Sequence, residues 1–259
     1  MVFPRRRRNL LPLFATLMMK NISNVSPDLN RFVTRMFRPL PTVVLGLLCS
    51  AIAADAANRV VAWGDLNYDV TVNSTRRSRV AQIASGSFHS LVLENNWRVT
   101  AWGDNRFGQT GAPDQLQQYV VRQVAAGNVH SLALLWTGKV VAWGPAKGQY
   151  GDYGQCDVPT DLTRVVAVAA GATHSLAIKR GGTVVAWGGN WAGQCDVPPG
   201  LNNVVAIAGG ASHSVALKKD GTVVAWGNNA QGQTSVPAGL DQVVAIAALV
   251  QAAAPVEMV

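Results

Sequence analysis

At 259 residues the chain is long enough for one large domain or two small ones, and with 49% hydrophobic residues it can bury a sizeable core. Only 14% of its residues are charged, few for an ordinary globular surface, and its 25 Gly and 12 Pro suit many short strands and turns. Most of the net charge of +8 belongs to the start of the chain. Residues 1–58 hold eight basic and two acidic residues, while the rest holds 14 basic against 12 acidic, so the body has no basic excess to match a phosphate backbone.

Residues 1–35 form a basic leader in which Arg5–Arg8 precede the apolar run Leu10–Met19, with no cleavage pattern after it. This stretch reads as untranslated sequence, with translation beginning at Met36. Residues 36–56 read as a signal peptide. Met36-Phe37-Arg38 opens a short basic segment, and Leu40–Ala54 is apolar apart from Thr42 and Ser50. Ala51-Ile52-Ala53 and Ala54-Asp55-Ala56 both fit the small-residue cleavage pattern. The apolar run of 15 residues is shorter than the roughly 20 that cross a bilayer. The expected location is therefore secreted, periplasmic or cell-surface, and the alternative is a membrane anchor formed by an uncleaved signal. Cys49 follows Leu48, where a lipoprotein site needs a small residue. Beyond the leader, Cys156 and Cys195 each sit in Gly-Gln-Cys-Asp-Val-Pro, 39 residues apart. A whole repeat separates them, which argues against a disulfide and for two buried free thiols.

The body, residues 57–248, is a set of internal repeats. Ala-Trp-Gly recurs at Trp63, Trp102, Trp143, Trp187 and Trp226, with spacings of 39, 41, 44 and 39. Gly-x-x-His-Ser recurs at His89, His130, His174 and His213, each 13 residues before a marker Trp. Val/Ala/Ile-rich runs at 80–84, 120–126, 165–170, 204–208 and 243–248 complete the pattern. Each run is short, β-branched and bounded by turn residues, as a buried strand requires. Ser214–Lys218 and Thr222–Gly227 flank Lys219-Asp220-Gly221, and Asp-Gly between apolar runs signals a hairpin. Gly-Gln and Val-Pro mark the return loop. Three clear strands and a short fourth are expected in each repeat. That is the signature of propeller blades, so the fold class is all-β.

The string from His213 through Lys218-Lys219-Asp220-Gly221, Ala225-Trp226-Gly227 and Gly232-Gln233, then Val236-Pro237 and Val243–Ala247, resembles the regulator-of-chromosome-condensation repeat. The Gly-Gln-x-x-Val-Pro version is similar to secreted bacterial members, among them propeller-type β-lactamase inhibitory proteins. The resemblance spans residues 59–248 and implies a β-propeller. The family's ring has seven blades, whereas here there are about five modules of 39–44 residues, an incomplete or open ring. The pattern stops after Ala248, where Leu249-Val250-Gln251-Ala252 replaces Gly-x-x-His-Ser, so residues 249–259 form a divergent tail.

Catalysis finds little support: adjacent His-Ser residues do not form a nucleophile–base pair, and no phosphate-cradling Gly-x-x-x-x-Gly-Lys string occurs. No enzymatic activity, cofactor or metal is expected. The four histidines recur one per repeat, whereas metal ligands must converge, so they and the five marker Trp residues are expected to be structural. Function is expected in loops that vary between repeats. Gly-x-x-His and the segment after Trp-Gly lie at one end of the hairpin, forming one face. Tyr68, Phe88, Arg106, Phe107, Tyr150, Tyr153 and Trp191 are the aromatic and Arg residues there, the types interfaces use as anchors. Packing between blades is the competing role for each of these rings. At the opposite end, Trp97 occupies the turn position held by Gly138, Gly182 and Gly221, and Trp136 lies in another turn. These two are read as drifted turn residues or a second contact surface.

The expected function is an exported scaffold that recognises a protein or cell-envelope partner through the loop face. Nucleic-acid binding and membrane contact beyond the leader are not expected, and self-association could close the ring. The alternatives are a guanine-nucleotide-exchange or chromatin-binding propeller, and a truncated fragment without function.

Overall fold

The computed structural model describes residues 80–248 and, as backbone, the strands β1 (Ala51–Ala54) and β2 (Val60–Trp63). Residues 1–50, which hold the basic leader and most of the expected signal peptide, lie outside the described residues, as do Tyr68 and the tail 249–259. Four three-stranded antiparallel blades follow. The first holds β3 (Val80–Ser85), β4 (His89–Glu94) and β5 (Val99–Gly103). The second holds β6 (Val121–Ala126), β7 (Ser131–Leu135) and β8 (Val140–Trp143). The third holds β9 (Val165–Ala170), β10 (His174–Lys179) and β11 (Val184–Gly188). The fourth holds β12 (Val204–Gly209), β13 (His213–Lys218) and β14 (Val223–Gly227).

The short fourth strand expected in each repeat is absent among the described residues. The return segment is instead folded into turns by its own polar side chains. The Oε1 atoms of Gln109, Gln155 and Gln194 accept N–H bonds from Phe107, Tyr153 and Ala192, two residues earlier, at 2.7–2.9 Å. Asn105 and Asn190 accept from the N–H groups of Thr110 and Cys195. A backbone consumed by such local bonds cannot join a ladder.

The core sits between blades. Leu91 and Leu93 of β4 pack with Val121, Val124, Ala133 and Trp143 of the next blade. Leu132 and Leu134 do the same with Val165, Val168 and Trp187, and Leu176 and Ile178 with Val204 and Trp226. Each such leucine is essentially fully buried, worth about 2 kcal/mol. First strands of successive blades are neighbours, β3 beside β6, β6 beside β9 and β9 beside β12, so they form the inner edge of the stack.

Polar bonds key each blade to the next. His89 Nε2 meets Ser131 Oγ at 2.8 Å, His130 meets Ser175 at 3.1 Å, and His174 meets Ser214 at 3.0 Å. Ser131 Oγ and Trp143 Nε1 both donate to the Gln109 carbonyl, at 2.8 and 2.9 Å. Ser175 and Trp187 share the Gln155 carbonyl, and Ser214 and Trp226 the Gln194 carbonyl. Each serine spends its proton on that carbonyl, so the histidine must donate from Nε2, which fixes its tautomer. Burial pushes the His89 and His174 pKa down to about 4 and that of His130 to about 3.

In β1–β2, Ala51 faces Trp63, the register in which Ser90 faces Trp102. β1 lies beside β3 as β4 lies beside β6. The pair therefore takes the place of the middle and third strands of a further module, and a cut after Ala56 would separate them. At the other end Val243 N–H bonds to the Gly221 carbonyl at 3.1 Å, repeating the bonds of Val165 to Gly138 and Val204 to Gly182.

Candidate protein-binding face

The hairpin register brings two loops of each blade together. His89 faces Gly103, and the N–H of Asp104 bonds to the Phe88 carbonyl at 2.8 Å. The same bond joins Gly189 to Thr173 and Asn228 to Ser212, each at 2.8 Å. Segments 87–88, 128–129, 172–173 and 211–212 thus share one face with the segments that follow each third strand.

Three of those latter segments carry aromatic side chains, and the rings reach across from loop to loop. Phe107, after β5, lies with its ring centroid 6.2 Å from Tyr150, after β8. Tyr153, in that same second-blade loop, meets Trp191, after β11, edge to face at 5.1 Å and 69°. The 145–153 segment is therefore the centre of an aromatic row spanning the loops of three blades. Tyr150 is 85% exposed, Trp191 60% and Tyr153 45%, while Phe107 and Phe88 are half-buried.

The row is held in place from beneath. Asp152 accepts the N–H bonds of Gly148 at 2.7 Å and Gly154 at 2.9 Å, which also hold its carboxyl below the ordinary range. Gln155, fully buried, donates Nε2 to the Gly151 carbonyl at 2.6 Å. A side chain at Gly151, whose φ is +89°, would sit 3.5 Å from the Phe107 ring and 3.6 Å from Val129. The loop therefore packs closely on the neighbouring aromatic. Arg106 binds Asp104 through both Nε and a terminal nitrogen, at 2.9–3.1 Å. Burial alone would raise the Asp104 pKa, but the Arg106 bonds and charge outweigh it and the pKa is lowered. Arg106 remains largely exposed, a fixed cation beside Phe107.

Of the seven residues expected at a partner face, the structure joins Phe107 with Tyr150 and Tyr153 with Trp191, and places Arg106 next to Phe107. Phe88 lies in the adjoining loop, and Tyr68 is outside the described residues. Residues not singled out in the sequence prove central to the loops: Gln109, Gln155 and Gln194 are all fully buried. Their signal was present, since Gly-Gln recurs in every repeat. The histidines are spread along the inter-blade junctions, and no group of three or more metal-ligating side chains occurs among the described residues. Cys156 and Cys195 are free and half-buried, with burial raising their thiols to about 12 and about 11. That is a protonated, unreactive state. A groove of about 500 Å³ lies elsewhere, between β5 and the 3-10 helix Asp114–Gln118, and is lined by Val99, Ala101, Pro113 and Leu116.

Separate three-stranded blades, laid first strand to first strand and keyed by one recurring polar lock, define a β-propeller-type repeat protein. Residues 80–109, 121–155, 165–194 and 204–233 match the family described as regulator of chromosome condensation (RCC1) repeat. These four segments are repeats of that family. The chain is similar to Prp20p from Saccharomyces cerevisiae, at 25% identity and a TM-score of 0.58, over 73% of this chain and 57% of that one. The structure of Prp20p was described together with its binding to Gsp1p and histones. The ectodomain of the Physcomitrella patens receptor kinase CR4 matches with a TM-score of 0.63 and 21% identity, over 77% and 55% of the two chains. Human WBSCR16 matches at 0.51 and 23%, over 64% and 53%. This chain thus spans a little over half the length of the structures it matches. Propellers of this type are generally protein-binding scaffolds.

Proposed function

We propose that this protein is an exported scaffold whose protein or cell-envelope partner docks on the loop face, across Phe107–Tyr150 and Tyr153–Trp191. The observation that carries this reading is the aromatic row. Its rings are exposed, yet they are positioned by buried Asp104, Gln155 and a packed glycine, so little conformational entropy is lost when a partner covers them. Export rests on the basic, apolar and small-residue succession of residues 36–56.

Photocrosslinking from position 150, in the organism's envelope fraction, would identify what sits on the row. Tyr150→Ala with Trp191→Ala should keep the melting temperature of the parent and lower partner affinity at least tenfold, as loss of two anchors requires. Equal affinity would remove the row from the interface. Recovery of the tagged chain only from the cytoplasm would end the export reading.

The likeness to Prp20p favours a second reading, guanine-nucleotide exchange. Acceleration of labelled GDP release from Gsp1p by this chain would support it; an unchanged release rate would dismiss it.

A further inference from the structure

The two ends of the blades differ in charge. Residues 80–248 contain ten basic side chains, and only Arg106 and Lys147 belong to the loop face. The other eight lie at the opposite end, in or beside the hairpin turns and the starts of the first strands. Four of the nine acidic residues, Asp104, Asp152, Asp157 and Asp196, are on the loop side. Of the five at the turn end, Glu94 is buried and bonded by Asn96 and Thr100, and Asp220 is bonded by Lys218 and Thr222. The turn face is thus basic while the loop face is acidic and aromatic.

The turn face is also built. Trp136 N–H bonds to the Val120 carbonyl at 2.8 Å, Arg180 N–H to Arg164 at 2.7 Å and Lys219 N–H to Asn203 at 2.8 Å. One backbone bond per blade therefore sets Trp136, Arg180 and Lys219 in equivalent positions on successive blades. Trp136 is 70% exposed, and the Arg122 guanidinium lies 6.0 Å from its ring centre. Such stacking holds both groups outward and leaves the guanidinium edge available. Trp97, with φ +70° in a turn position that other blades give to Gly, is a second exposed ring at this end.

We propose that the turn face is a second binding surface, and that its occupant is an acidic polypeptide segment carrying aromatic side chains. Trp136 with Arg122 forms the anchor, and Arg164, Arg180 and Lys219 continue it across the neighbouring blades. Arg forks match carboxylates in two parallel bonds, and exposed Trp beside Arg is the composition of interface anchors. A phosphate backbone fits less well, because Asp114, Asp161 and Asp241 interrupt the basic positions and a nucleic acid needs an unbroken cationic track.

The test uses the full chain with a random Glu/Tyr copolymer as the probe and an oligothymidylate of similar length as the comparator. Tryptophan emission and anisotropy are read at low and moderate salt. Binding of the copolymer is expected, weakening as salt rises. Arg180→Glu should lower affinity at least tenfold, and Trp136→Ala should also abolish most of the emission change. Both positions are exposed, so melting temperature should stay at the parent value; if Trp136→Ala lowers it, Arg180→Glu alone decides. The loop-face pair Tyr150→Ala with Trp191→Ala should leave copolymer binding unchanged, which separates this surface from the proposed partner face. Tighter binding of the oligothymidylate, no copolymer binding, or insensitivity to Arg180→Glu would each overturn the proposal.

Discussion

Three blade junctions are built with the same His–Ser–Gln–Trp lock, but they are not equally tied. At the first two, a glutamine of the inner strand reaches across and copies a backbone pairing. Gln82 donates to the Val124 carbonyl at 3.0 Å and accepts from its N–H at 2.9 Å, and Gln123 does the same with Val168 at 2.9 and 3.0 Å. At the third junction Ala167 holds that position, and no side-chain clasp joins the two inner strands among the described residues. The lock is thus what the repeat needs to stack, while the inner clasp is an addition that can be dropped. A comparable gradient runs along the histidines. His89, His130 and His174 are wholly buried against a serine of the next blade, whereas His213 is half-buried and has no such serine among the described residues.

The largest effect separates a locked histidine from an unlocked one. A Cβ on Gly127 would meet the His130 ring and lie 2.6 Å from the Gly171 carbonyl, and that ring is wholly buried and bonded to Ser175. Gly127→Ala should therefore cost about 3 kcal/mol or more, by expelling a buried ring that the next blade holds. On Gly210 the nearest atoms to such a Cβ all belong to the His213 ring, which is half-buried and has no serine of a following blade to hold it among the described residues. Gly210→Ala should cost about 1 kcal/mol. Chemical denaturation of the two variants measures the difference, and equal losses would mean that the serine partner contributes nothing to holding the ring.

Acid should act through the same set. The buried imidazoles are neutral in the fold down to about pH 4, or about pH 3 for His130, while in the unfolded chain they take up protons below about 6.5. Between those limits the unfolded state binds more protons, so stability is complete above pH 6.5 and falls as the pH drops toward 4. Each of the three contributes on the order of 3 kcal/mol to that fall. His130→Gln should flatten the profile of melting temperature against pH in this window; an unchanged slope would show that the acid sensitivity arises elsewhere.

The repeat architecture was legible because its markers recur at nearly constant spacing, and because Asp-Gly and Gly-x-x-His punctuate strands that alternate with turns. The candidate loop face followed from hairpin geometry alone. What the residues could not announce was the pairing between blades. His130 and Ser175 are 45 positions apart, and their contact depends on how one sheet is rotated against the next. The fourth strand was misjudged for a local reason. Gly-Gln was read correctly as marking the return loop, but its Gln side chain and the nearby Asn close turns on their own backbone, which leaves no strand there to pair. The ring pairs Phe107–Tyr150 and Tyr153–Trp191 were equally invisible, since the Pro145–Tyr153 insertion has no repeat counterpart from which to infer its course.

The smallest effect bears on the clasp itself. Gln123→Ala removes two hydrogen bonds to Val168 and leaves that N–H and carbonyl at the inner edge of the stack, where the strand is partly reached by solvent. A loss of about 1 kcal/mol is expected, since exchange with water offsets most of the intrinsic bond energy. Ala167→Gln should do the reverse at the third junction, where Ile207 stands in the place of Val124 and Val168 in the repeat. If the junctions share one geometry, the gain should approach about 1 kcal/mol, less the rotamer entropy that the new side chain gives up. Urea midpoints for both variants and their combination settle it. Recovery by Ala167→Gln of most of what Gln123→Ala removes would mean the junctions are interchangeable and the clasp is a modular part. No gain at Ala167 would mean the third and fourth blades approach each other differently, with Ala167 there because the closer approach excludes a longer side chain.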